Sequence, residues 1–480
     1  MDENLLQIDA LAQAELIRSG EITALELVEA AVERMHEINP TVNCVVIDLS
    51  ERARVAAAAL AGEDRAAARL LAGVPILLKD LGQQVAGVRQ TDGSRALRHA
   101  VADRDSCLAA RYRRAGTILL GKTSSPEFGN HSTTEPVLYG PCRNPWNPTR
   151  TAGGSSGGAA AAVAAGVVAA AGASDGAGSI RIPASCCGVF GLKPSRGRIS
   201  SAPYAAGVRF GLAASHVITR SVRDSAAFLD IAAGPTPGDP YWPPAPAQPF
   251  LRAVETEPRR LRIALSAQSP LGGPVDPGCA RAAEQTAALL AELGHHIEIA
   301  APEFELTAVT EGMLALWAAS NASSHAAIVH ELGRPLEPSE LEPTTWELVE
   351  YGQRLGAVDI QHALGQLQTA AWQIAEFFDR YDVWLTPTVA QQPPPLGELN
   401  RALGSAQAWW AYDLEFNPWN PIANLTGQPS ASLPLHWTSD GLPVGSLITG
   451  GYADEVTVLQ LASQLERTLG RTSLGSRCAL

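Results

Sequence analysis

The stretch GGSSGGAAAAVAAGVVAAAGASDGAGSIRIPASCCGVFGLKP, running from Gly153 to Pro194, decides how this chain is read. It ties two Gly/Ser clusters, Gly153-Gly154-Ser155-Ser156-Gly157-Gly158 and Asp175-Gly176-Ala177-Gly178-Ser179, to an Ala/Val segment almost free of polar side chains. Glycine lets the main chain turn sharply and lets other groups approach it closely. Serine adds a hydroxyl that can attack or can relay a proton. The combination predicts hydroxyls and backbone N–H groups displayed on a rigid support. After Gly158 the alanines predict a helix of about a dozen residues, and Val167 to Ala171 predicts a strand. Asp175 to Ser179 predicts a turn, and Gly178 to Pro183 does not read as a helix start.

Working outward, Gly73-Val-Pro-Ile-Leu-Leu-Lys79-Asp80 is an apolar strand pattern ending in a lysine. Burying an ammonium there costs several kcal/mol unless it is paired or loses its proton. Two readings stand side by side: a Lys79–Asp80 surface pair at a strand end, or a lysine whose pKa burial lowers until it acts as a base. The segment alone does not choose. G-x-S-x-G occurs twice, around Ser155 and around Ser174, the pattern of a nucleophile elbow. Such an elbow needs a strand before it, a helix directly after it and a later histidine. The first copy lacks a convincing strand, the second runs into Gly178–Pro183, and His436 is alone in the last hundred residues. A histidine-based triad is therefore disfavoured.

Further from the centre, strands and helices interleave. Helices are predicted over Ile8–Arg18, from a capping box at Thr23–Glu26, over Leu49–Ala61, Asp105–Ala115, Ser221–Ala232, Asp276–Leu293 and Asp454–Thr468. Strands are predicted at Cys44–Ile47, Thr117–Leu120, Leu261–Leu265, His296–Ala300, Tyr381–Thr386, Ala431–Leu435 and Val444–Thr449. Gly234 to Pro258 carries eight prolines and reads as a surface connection inside one domain. A helical block, about 306 to 380, offers Trp317, Trp346 and Trp372 as apolar anchors and is the candidate pocket roof. The expected architecture is α/β: one domain over 1–480, with a central mixed twisted β-sheet covered by helices on both faces. Its core runs from about 70 to 232.

With 480 residues, 46% hydrophobic, the chain can bury a large core, and a net charge of -13 with no basic stripe argues against a nucleic-acid partner. The longest apolar run, Ala159 to Ala173, falls short of the roughly 20 residues a membrane span needs. The start, MDENLLQIDALAQAELIRSGE, lacks a signal-peptide pattern. Seven cysteines without a CxxC pair and ten histidines without HExxH point to reduced thiols and to no metal site. A cytoplasmic protein, homodimeric by general frequency, is the expectation.

GGSSGGAAAAVAAG followed by SDGAGSIRIPASCCGVFGLKP resembles the signature of the amidase signature family, and GVPILLKD, GKTSSPEFGN, YDVWLTPT and GQPSASLPLHWTSDGLPVG resemble that family too. The likeness covers nearly the whole chain and points to its free-standing bacterial amidases. It implies cofactor-free hydrolysis of a C–N bond in a small-molecule amide or carbamate, by a Ser–cis-Ser–Lys triad with an acyl-enzyme intermediate. Carried over by motif, Ser179 is the nucleophile, Ser155 the bridging serine after a cis peptide, and Lys79 the base. Elementary chemistry agrees, because a serine hydroxyl needs a base within reach and a buried lysine can lose about 3–5 pKa units. The N–H groups of Gly176, Ala177, Gly178 and Ser179 are the candidate oxyanion hole. Asp175 and Arg181 are expected to pair and hold the turn, and Ser156 to join its hydrogen bonds. Asn130 matches a substrate-contacting asparagine in a family member. Two departures stand out: Ala177 where glycine is usual, costly if that position needs φ > 0, and Leu447 where glutamine often follows GLPVG. The resemblance also leaves open the amidase subunit of a tRNA-dependent amidotransferase and a catalytically silent binding protein on the same fold.

Overall fold

The structure, a computed structural model, describes residues 3–60, 69–203 and 208–470. Ala61, named above, and Cys478, one of the seven cysteines, lie outside the described residues. Its strands are β1 (Val45–Asp48), β2 (Pro75–Lys79), β3 (Ile118–Thr123), β4 (Arg143–Asn144), β5 (Asn147–Thr151), β6 (Ala170–Asp175), β7 (Phe190–Lys193), β8 (Ala214–Thr219), β9 (Arg262–Leu265), β10 (His296–Ile299), β11 (Val383–Pro387), β12 (Ser430–Trp437) and β13 (Pro443–Gly450). β4 and β5 form a separate two-stranded ribbon. The other eleven form one sheet in the order β1-β3-β2-β6-β8-β7-β12-β13-β11-β9-β10. β3–β2–β6 and β11–β9–β10 pair in parallel, and the strands between β6 and β11 pair antiparallel. The sheet is therefore mixed.

Successive strand residues face opposite sides of the sheet. Ile76 and Leu78 enter a core with Phe228, Leu290 and Leu459, from the helices Val222–Ala232, Pro277–Glu292 and Glu455–Leu469. Leu77 enters a second core with Leu27, Val28, Met35 and Ala159 to Val163, from the helices Ala24–Val42 and Gly157–Ala164. Helices thus cover both faces. A third apolar cluster, built around Trp317, Trp384 and Trp410, gathers the helical block over the C-terminal half of the sheet. Leu447 is buried in that cluster.

Helix starts follow the capping chemistry. Thr23 accepts from the Glu26 N–H while the Glu26 carboxylate accepts from the Thr23 N–H, and Ser221, Asp276 and Asp454 each cap the first turn that follows. Three expectations in the central stretch are corrected. The alanine helix is shorter, Gly157–Ala164, because Gly166 turns left-handed at φ 75°. The next strand is Ala170–Asp175, since its register is set by β8, from Ala170↔Thr219 to Asp175↔Ala214, and alanine carries little strand preference of its own. A helix, Arg181–Cys187, does follow the second glycine cluster. Pro183 falls in its first turn, where a missing N–H costs nothing. Trp317 is a buried anchor, Trp346 is half-buried, and Trp372 is 65% exposed and anchors nothing. No helix among the described residues is long and apolar enough to cross a membrane.

Candidate active site

β2 ends at Lys79, whose side chain has 0% exposure. Its Nζ donates to Ser155 Oγ at 2.7 Å and to Ser174 Oγ at 3.1 Å. Asp80, also fully buried, turns instead to Thr91, whose N–H it accepts at 3.0 Å, so the surface-pair reading of Lys79 and Asp80 does not hold. Burial lowers the Lys79 pKa to about 7; nearby Asp175 opposes the shift and Arg209 adds to it. Gln83 fixes the strand end by accepting the Lys79 N–H at 2.9 Å and donating to Ala173 O at 3.0 Å.

The Gly154–Ser155 peptide is cis. A Cβ on Gly154 would come within 2.3 Å of Thr133 O, so only glycine lets these two backbone segments touch. Ser156 Oγ donates to Ser174 O at 3.1 Å and accepts the Ser174 N–H at 3.3 Å, which locks the first glycine loop onto the end of β6. The Ser156 N–H donates to Ser179 O at 3.2 Å, so the second loop is fixed to the first. Ser155, Ser174 and Ser179 line one cavity of about 700 Å³. Ser179 keeps 8% exposure, and among the described residues its hydroxyl makes no hydrogen bond. Catalytic contacts of this kind often tighten only when a substrate is bound.

The turn between β6 and the Arg181–Cys187 helix is held by Asp175 and Arg181, both without exposed surface. Arg181 donates Nε to Asp175 Oδ2 at 2.9 Å and Nη2 to Oδ1 at 2.8 Å. The same carboxylate accepts the N–H groups of Gly178 at 2.7 Å and Ile180 at 3.0 Å. Burial alone would raise this carboxyl, and the charge and hydrogen bonds of Arg181 reverse that and hold it well below the usual range. One expected oxyanion donor is thereby corrected: the Gly178 N–H is spent on Asp175, a consequence of the carboxylate folding back over its own turn. The N–H groups of Gly176, Ala177 and Ser179, all buried, have no acceptor among the described residues. Left-handed backbone falls on Gly178, at φ 130°, and not on Ala177, so the alanine methyl is unstrained.

Residues from the far end of the chain complete the turn. Asn417 donates to Ala177 O at 2.6 Å, and Asn424 to Asp175 O at 3.0 Å and Leu212 O at 2.9 Å. Asn130 is buried behind the cavity wall, where its Nδ2 donates to Asn321 at 2.9 Å and Thr345 at 3.2 Å. Its Oδ1 accepts from Trp317 Nε1 at 3.0 Å. Trp317 and Arg209 overlie Gly176, and a Cβ there would meet the indole at 3.1 Å. Asn420 O accepts from Arg181 Nη1 at 3.0 Å. Ser174, Arg209 and these three C-terminal asparagines were missed in the sequence. Ser174 carried a signal, the second G-x-S-x-G; the others carried none, because partners 79 to 249 residues apart leave no local pattern. His436 bonds to Thr286 at 2.9 Å and plays no part in this cluster.

This arrangement offers a buried amine on a hydroxyl, a second hydroxyl facing a cavity and unspent N–H groups beside it, the parts that acyl transfer needs. The family described as Amidase matches residues 26–459. The 6-aminohexanoate-cyclic-dimer hydrolase of Paenarthrobacter ureafaciens is 39% identical over 96% of this chain and 94% of its own. A solved structure of 6-aminohexanoate cyclic dimer hydrolase complexed with substrate superposes with a TM-score of 0.92 at 38% identity, covering 97% of both chains. A bacterial aryl acylamidase of the amidase signature family superposes with a TM-score of 0.87 at 28% identity, covering 98% of both. This chain belongs to the amidase family and is a hydrolase of non-peptide C–N bonds.

Proposed function

We propose that the chain cleaves carboxylic amides by making and breaking an ester at Ser179. The Lys79 amine carries this reading: it is wholly buried, 2.7 Å from Ser155 Oγ, with a pKa near neutrality. In its neutral form it takes the Ser155 proton as Ser155 takes that of Ser179, and Ser179 Oγ bonds to the substrate carbonyl carbon. The oxygen of that carbonyl gathers negative charge against the N–H groups of Gly176, Ala177 and Ser179, where losing one donor typically costs about 2.7–4 kcal/mol. The proton returns through Ser155 to the departing nitrogen as the C–N bond breaks. Water then attacks the acyl-Ser179 ester with the same groups in the same roles.

Ser156 and the Asp175–Arg181 pair keep the two loops in register, and Asn130 serves the substrate pocket by holding Trp317 and Arg209. The substrate is a small-molecule amide, and a cyclic amide like that named for the relative would fit the cavity volume. A cytoplasmic location agrees with Cys44, Cys142, Cys186 and Cys279 being unbridged and buried. An amidotransferase subunit and a silent binding protein are not favoured by likenesses of this kind. The test is a fluorophosphonate probe with mass spectrometry on the intact chain. Labelling at Ser179, lost in Ser179→Ala together with turnover of an amide panel, is expected; undiminished turnover in Ser179→Ala would refute the reading.

A further inference from the structure

The cavity beside Ser179 has polar groups set among its apolar side chains, and in binding pockets such groups fix the ligand's orientation. Ser320, Asn321 and Ser324 face it from the Met313–Leu332 helix, and two guanidinium groups, Arg196 and Arg209, face it from the chain after β7. Neither arginine forms an ion pair among the described residues. Arg196 is satisfied by the carbonyls of Gly211, Asn424 and Leu425, at 2.7 to 2.9 Å. Arg209 is not. Its Nη2 donates to Phe128 O at 2.6 Å and reaches Asn130 Oδ1 at 3.4 Å, while Nη1 is buried without any acceptor. A buried cation left short of both a counter-charge and a hydrogen bond is costly and calls for a partner.

The group is also held firmly. The guanidinium stacks on the Trp317 ring at 3.6 Å, and Arg209 and Phe210 both adopt left-handed backbone, φ 51° and 57°. Non-glycine residues in that region persist only where their surroundings enforce it, and they gather at functional sites. The carboxylates on the same wall are already used: Asp239 accepts from Ser200 and from the Thr236 N–H, and Asp92 accepts from Gln90. We propose that Arg209 is a specificity-determining residue that selects amides carrying a carboxylate, which supplies the missing counter-charge within the cavity of Ser179. This deepens the amidase reading and rests on it. The arginine's own pKa is drawn down to about 9 by burial, so the cation is present at neutral pH and is the costly form.

Binding is measured by calorimetry on full-length Ser179→Ala protein, which separates recognition from turnover. Monoamides of dicarboxylic acids with three to eight carbons are compared with uncharged monocarboxylic amides of equal length, with and without Arg209→Gln. At least one carboxylate-bearing amide is expected to bind more tightly than its uncharged counterpart, and Arg209→Gln should lower that preference by about 10- to 100-fold, the range for hydrogen bonds to a charged group. Arg209→Lys should keep part of it, and added salt should weaken it. If no chain length prefers the carboxylate, or if Arg209→Gln weakens both ligand classes equally, the inference is overturned. Should Arg209→Gln fail to fold, the salt dependence in the parent and the Arg209→Lys comparison decide the matter. Turnover of either class by the unmodified chain tests the amidase reading separately.

Discussion

Two lysines lie in the last two positions of neighbouring parallel strands and are equally buried, yet their surroundings give them different work. Lys122, on β3, donates Nζ to Lys79 O at 3.1 Å and Gln90 Oε1 at 2.7 Å, with Gln83 O as a third acceptor, and has Asp80 and Asp92 nearby. Lys79, on β2, meets two serine hydroxyls. Burial lowers both, Lys122 to about 8 and Lys79 to about 7. Fixed carbonyls can only accept, so the Lys122 amine is a strut joining β2, β3 and the loop that follows. A hydroxyl can also donate, so the Lys79 amine can trade a proton with its partner. Burial alone does not make a base; the chemistry of the atoms around the nitrogen does.

The largest expected effect separates the two. Lys79→Met should lower kcat by about 10²–10⁴ with the fold retained, the usual range for a positioned general base, measured on any amide the chain turns over. Lys122→Met should show as lost stability, about 1–3 kcal/mol in denaturant unfolding, because it strands buried carbonyls, with its remaining activity keeping the parent pH midpoint. If Lys122→Met shifted that midpoint while Lys79→Met left it alone, the contrast would be reversed.

Breaking the turn tests the support under Ser179. Asp175→Asn leaves Arg181 buried with no counter-charge and should cost about 3–5 kcal/mol of stability, read from the denaturation midpoint. A loss under about 1 kcal/mol would mean the pair is dispensable. Trp317 and Trp372 give a further contrast, since one is buried over Gly176 and the other is exposed. Trp317→Ala should cost about 3–5 kcal/mol, whereas Trp372→Ala should stay within about 0.5 kcal/mol.

The pH dependence sharpens the lysine comparison. With Lys79 as the proposed base, kcat/KM should rise with pH through a midpoint near 7 and level off above it. Arg209 adds to the lowering of Lys79, so Arg209→Gln should move that midpoint to higher pH. Stability carries the same sign. Between about 7 and the ordinary 10.5, the unfolded chain holds a proton on Lys79 that the folded chain has shed, so this group adds stability as pH rises across that window. Lys79→Met should flatten that part of the stability profile.

Much of the fold was legible because its signals are local. Thr23, Ser221, Asp276 and Asp454 cap helices where the sequence placed them. The strand ending at Lys79 and the two glycine clusters were legible too. The misplaced strand has a physical cause: alanine carries little strand preference, so β8 decided where β6 begins. Arg209 lay in a stretch of loop that no periodicity marks, and Asn417, Asn420 and Asn424 are joined to the Asp175 turn only by folding.

By itself the sequence determined which groups were available, two serine clusters, one lysine at the end of an apolar strand and glycines where the backbone must be approached closely, because those demands are written within a few residues. Tertiary structure alone decided what each group became. It stripped water from Lys79, set Ser155 against it, spent the Gly178 N–H on Asp175 and left Arg209 without a counter-charge. Solvation and hydrogen-bond partnership are properties of the space around an atom, and that space is filled by residues far away along the chain.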